Sequence, residues 1–118
     1  MDRRKELKKA YKENPPAKGV YQIRNTVNGK IFIGSSMNLH GTSNSWKGKL
    51  STNWHPCKAL QAEWNTSGAD AFVFEILETL DLLDFPQEDW RMAVGILEEH
   101  WLEKLQPYDD KGYNLRKN

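Results

Sequence analysis

Hydrophobic and polar positions alternate with a period of two over residues 19–26 and again over 30–34. Val20, Gln22 and Arg24 share one side of the first run, and Tyr21, Ile23 and Asn25 share the other. β-Branched and aromatic residues fill most of both runs, so they predict two strands. Asn28-Gly29 lies between them. That pair tolerates positive φ at both central turn positions, and it predicts a tight antiparallel hairpin with a type I′ turn. The same period returns over residues 71–79, with Phe72, Phe74 and Ile76 opposite Val73 and Leu77. Apolar groups on both faces predict a central strand there.

Elsewhere the period lengthens to that of a helix. Trp90, Val94, Leu97, Trp101 and Leu105 form a broad apolar stripe, predicting an amphipathic helix over 87–105 that Pro107 closes. Glu88 and Asp89 would complement the positive end of its dipole. Leu60 and Trp64, four apart, predict a helix from His55 to about Asn65, with Pro56 in its first turn. A shorter helix, capped by Thr42, Ser43 or Asn44, is predicted to run through Leu50. Gly48 would weaken it by up to about 1 kcal/mol. Residues 1–14 are helix-prone and basic, with a thin stripe of Leu7, Ala10 and Tyr11, and Pro15-Pro16 ends them. The expected architecture is an α/β domain: a small three-stranded antiparallel sheet flanked by helices, in the order β-β-α-α-β-α. We expect a basic arm over 1–16 and one domain over 17–118.

Composition changes the picture in two places. The net charge is +1, yet residues 1–62 hold 12 Lys or Arg against 3 Asp or Glu, and residues 63–118 hold 5 against 13. A basic half suits a polyanion, while the acidic half suits a metal site or a solvated helix face. Arg24, Lys30, Lys47, Lys49 and Lys58 are candidate backbone-binding cations, and Trp46 is a candidate for stacking on an unpaired base. Cys57 is the single cysteine, so no disulfide forms within the chain. No apolar run is long enough to span a bilayer and no leader pattern is visible; a cytoplasmic protein without membrane contact is expected.

Five segments carry a family resemblance. GVY at 19–21 and FIG at 32–34 resemble the two tripeptides that name the GIY-YIG nuclease superfamily. AFVFEIL (71–77), EEHWLEKLQP (98–107) and KGYNL (111–115) resemble that family's third strand, its glutamate helix and its closing asparagine segment. The resemblance spans roughly residues 17–115. It implies phosphodiester hydrolysis on DNA, with one divalent ion, Mg²⁺ or Mn²⁺, and no small-molecule cofactor. It implies that Tyr21 acts as or assists the general base, that Glu98 holds the ion, and that Asn114 orients the glutamate region. His55 is a further candidate to assist. The family's phosphate clamp is an arginine on the helix after the second motif, but no arginine lies between Arg24 and Arg91. Ser45 stands near the expected place, with Lys47, Lys49 or Arg24 as substitutes, and Phe32 replaces the usual tyrosine of the second motif. A lysine neutralises phosphate as a point charge and lacks the bidentate fork of arginine. Two other readings follow from these departures: a nucleic-acid-binding module that has lost cleavage, and, more remotely, a protein-interaction domain. Oligomeric state stays open.

Overall fold

A computed structural model describes residues 14–116. The predicted helix over residues 1–14 therefore lies outside the described residues, apart from Asn14. Two strands, β1 (Gly19–Asn25) and β2 (Ile31–Ser36), are followed by helices α1 (Leu39–Ser51) and α2 (Lys58–Ser67). Strand β3 (Phe72–Thr79) and helix α3 (Trp90–Leu105) complete the order. The sheet is antiparallel in the order β2-β1-β3, so the hairpin's first strand is central. β3 is an edge strand, contrary to the expectation of a central one. Its two apolar faces reflect cover from both sides: Phe72 and Phe74 meet α1 and α2, and Leu77 meets α3.

The alternation along β1 divides the core in two. Tyr21 and Ile23 pack with Leu39, Trp46, Leu50, Leu60 and Trp64 of α1 and α2. Val20 and Ile33 pack with Leu102 on the other face, under α3. Ile23, Leu50 and Leu60 are fully buried, and each such side chain contributes roughly 1.5–3 kcal/mol.

Three local expectations differ from the structure. The hairpin turn spans four residues, closed by Asn25 N–H to the Lys30 carbonyl at 2.9 Å, and Gly29 alone takes positive φ. Asn25 sets that geometry, since its side-chain oxygen accepts from the N–H groups of Val27 and Asn28. α1 starts earlier than predicted because Asn38 caps it, accepting from Gly41 N–H at 3.0 Å. α2 starts later, at Lys58, because His55 accepts a hydrogen bond from Cys57 N–H and holds the chain in a turn before it.

Candidate active site

The two ends of edge strand β2 differ. From Ile31 to Ile33 its outer edge is sealed by the C-terminal segment. Ile31 N–H donates to the Lys111 carbonyl, Tyr113 N–H donates to the Ile31 carbonyl, and Gly112 bridges in parallel to Ile31. Asn114 then acts as a strand residue with its side chain. Its Oδ1 accepts from Ile33 N–H at 2.9 Å and its Nδ2 donates to the Ile33 carbonyl at 2.8 Å. Beyond Ile33 the seal stops, and Gly34, Ser35 and Ser36 form the open end.

Tyr21 lies across the sheet from Gly34. Its phenol covers the glycine so closely that a Cβ at position 34 would stand 2.5 Å from the hydroxyl oxygen. The second motif therefore needs glycine to make room for the tyrosine of the first. The ring stacks on Phe74, with centroids 5.0 Å apart. Ser35, the next residue, points to the other face and donates from its hydroxyl to Glu98 on α3 at 2.5 Å. Two successive β2 residues thus contact Tyr21 and Glu98, one on each face of the sheet. The Glu98 charge also acts on Tyr21. Burial first, and the Glu98 charge second, push the Tyr21 phenol up to about 12.

Phe32 separates Tyr21 from His55, with its ring centroid 6.4 Å from the first and 5.2 Å from the second. Burial, then the positive charge of Lys49, hold the imidazole below its ordinary value. Its Nδ1 accepts from Cys57 N–H at 3.0 Å, so the neutral ring carries its proton on Nε2. On α1, Thr42 is the residue that faces the open end. Its hydroxyl donates to Ser36 Oγ at 2.7 Å. Ser45, the position expected to replace the clamp, bonds back to the Thr42 carbonyl instead.

Several sequence candidates lie elsewhere. Trp46 is buried between Trp64 and Phe74, so it offers no face to a base and is a core residue. Arg24 points to the face opposite Tyr21 and pairs with Glu75 at 2.7 Å, which keeps it out of the site. Lys30 lies over the Tyr113 ring at the sealed end. Lys47 is exposed with its ammonium over Trp46. Lys49 and Lys58 are exposed, and Lys58 lines a shallow cleft of about 370 Å³ with His55. Asn114 holds the peptide of Ile33, so it acts on the strand that carries Ser35 rather than on Glu98 itself. Sequence reasoning passed over Ser35, although alternation with Ile33 puts it on the α3 face. It also passed over Thr42, because the start of α1 was misjudged.

Among the described residues no three His, Cys, Asp or Glu side chains cluster to hold a metal ion, and no helix is long and apolar enough to cross a membrane. Glu98 is thus a single carboxylate beside hydroxyls, a donor set suited to a hard cation that keeps most of its waters.

Fold and motif order support a GIY-YIG nuclease domain. The chain is similar to two solved structures of one endonuclease. One is the catalytic domain of the homing endonuclease I-TevI, with a TM-score of 0.68 and 26% identity over 85% of this chain and 99% of that one. The other is a glutamate-to-alanine mutant of the I-TevI catalytic domain, described as an intron endonuclease, with the same score and identity over 83% and 92%. No protein-family model matches the sequence, and no curated protein matches it.

Proposed function

We propose that the chain is a metal-dependent DNA endonuclease that hydrolyses a phosphodiester at the open end of β2. One observation carries this reading. Successive β2 residues Gly34 and Ser35 contact the Tyr21 phenol and the Glu98 carboxylate, and the Glu98 charge opposes ionisation of that phenol, which supports a shared site. Similarity to the catalytic domain of an endonuclease supports the same chemistry.

Glu98 would hold Mg²⁺ or Mn²⁺. Such an ion, when bound, offsets phosphate charge and acidifies a coordinated water. The chain's own groups have separate tasks. Tyr21 is protonated at neutral pH, so it orients the attacking oxygen as a hydrogen-bond donor before it takes any proton. His55, neutral with its proton on Nε2 and set beyond Phe32, could offer the leaving oxygen a hydrogen bond but no acid proton, so that proton comes from water. Ser35 fixes the Glu98 rotamer, and Asn114 fixes the strand that carries Ser35.

A second reading, a nucleic-acid-binding module without cleavage, draws support from Thr42 at the α1 position that faces the site and from Phe32 in the second motif. The two separate on supercoiled plasmid. With Mg²⁺ or Mn²⁺ the nuclease reading expects nicked circles, and Glu98→Gln abolishes them. Salt-sensitive DNA retention without nicking at any metal concentration supports the binding module. Failure to retain DNA even at low salt leaves a protein-interaction domain.

A further inference from the structure

We propose that Arg91, at the start of α3, is the phosphate-binding arginine of this site, in place of the absent arginine on α1; the inference rests on the nuclease reading above. Arg91, Val94, Gly95 and Glu98 follow the i, i+3, i+4, i+7 spacing of one helix face. That face and the open end of β2 enclose a cleft of about 200 Å³, lined by Ser35, Ser36, Met37, Arg91, Val94 and Gly95. One wall of this cleft ends at Ser35, the residue that holds Glu98. A phosphate in it would lie against the guanidinium, with Ser35 linking the cleft to the ion-binding carboxylate.

Four further observations favour Arg91. Arg91 is exposed, and no hydrogen bond or ion pair engages its guanidinium among the described residues. Arg24 is committed to Glu75, and Lys18 is buried with its ammonium on the Pro16 carbonyl. Gly95 sits inside a 16-residue helix where glycine costs up to about 1 kcal/mol relative to alanine. Its own helix backbone and chain neighbours aside, no atom lies within 4 Å of the place its Cβ would occupy, so packing does not require it. Its absent side chain instead widens the cleft between Arg91 and Glu98. Across the cleft Ser36 and Thr42 supply hydroxyls and no charge, leaving the cationic part of phosphate recognition to Arg91. A planar guanidinium makes the two parallel hydrogen bonds that a phosphate accepts and that lysine cannot reproduce.

The test uses the full chain, a fluorescein-labelled DNA duplex and supercoiled plasmid. Duplex affinity is read by anisotropy in EDTA across a salt series, and nicking is read with Mn²⁺. Arg91→Ala is expected to weaken binding about tenfold and to lower the salt slope by about one. It is expected to slow nicking about a hundredfold. Arg91→Lys should restore the salt slope but not the nicking rate, the split that distinguishes a fork from a point charge. Lys104→Ala, whose ammonium lies over Trp101 on another face of α3, is the control for generic charge loss. If Arg91→Ala matches Lys104→Ala in both assays, the proposal is overturned. Nicking by the unmodified chain that Glu98→Gln abolishes keeps the nuclease reading whatever Arg91 does. Binding without nicking removes that reading, and the anisotropy arm then decides on Arg91 alone. Absence of duplex binding by the unmodified chain at low salt overturns both.

Discussion

The two halves of β2 use similar backbone for opposite ends. In the sealed half every contact closes the edge: the 111–114 segment supplies backbone partners to Ile31, and the Asn114 amide supplies both partners to Ile33. A polar cluster finishes that end, with Asn25 donating to the Tyr113 hydroxyl and Tyr113 donating to Glu63. In the open half the side chains do the binding. A glycine admits a phenol, a serine holds a carboxylate, and the second serine meets a threonine. An unsealed strand edge is normally a liability. Here it is three residues long, and its residues contact Tyr21 on one sheet face and Glu98 on the other. The sealed half is thus tied down by hydrogen bonds along its edge, and the open half presents side chains, the arrangement on which the proposed site rests.

The largest expected effect falls on the open half alone. Glu98→Gln keeps the Ser35 contact's shape but removes the charge, and nicking should fall about a thousandfold, roughly 4 kcal/mol of barrier, with thermal stability nearly unchanged. Asn114→Ala should do the reverse. It leaves the Ile33 N–H and carbonyl without side-chain partners and should cost about 2–3 kcal/mol in urea unfolding. Gly34→Ala joins the two effects. Its methyl group must displace the Tyr21 phenol, costing about 1–3 kcal/mol of stability, and nicking should fall further than stability explains.

Alkaline unfolding sharpens the contrast next. The Tyr21 phenol is pushed up to about 12 in the fold, so its stabilising contribution is intact below the ordinary phenol value near 10. It is lost as pH rises from there toward 12. Between pH 9 and pH 11 Tyr21 should account for about 1.4 kcal/mol of lost stability, a loss that Tyr21→Phe removes. The smallest effect belongs to a pair outside both halves. Arg24→Ala breaks a partly exposed, solvent-screened ion pair with Glu75, and urea unfolding should show the smallest loss of stability of the series. Arg24 also depresses the Glu75 carboxyl, so the pair's contribution is present above the ordinary carboxylate value and fades as pH falls below it.

Periodicity made the three strands and three helices legible, because each buries one alternating or helical set of residues. The edge position of β3 was not, since Phe72 and Leu77 are apolar whether a strand lies at the centre or at an edge covered on both faces. Element starts were misread where one side chain decides them: Asn38 for α1, His55 for α2 and Asn25 for the turn. Tyr21 and Glu98 became candidates only through the motif resemblance. They lie 77 positions apart, and no local pattern relates them. Trp46 was misread as a base-stacking residue because a tryptophan among lysines looks exposed until the neighbouring helix is in place. Arg91 was noticed only as the end of an arginine-free stretch. Its role depends on how α3 is rotated against β2, which is a property of packing.

The central claim is that the open end of β2 gathers Tyr21 and Glu98 around one divalent ion. The most direct measurement is anomalous diffraction from crystals of the chain soaked in Mn²⁺. The account predicts a single strong peak at the Glu98 carboxylate, on the side facing Tyr21, that disappears in Glu98→Gln crystals. A peak elsewhere with none at Glu98, or one that persists in the variant, would contradict it.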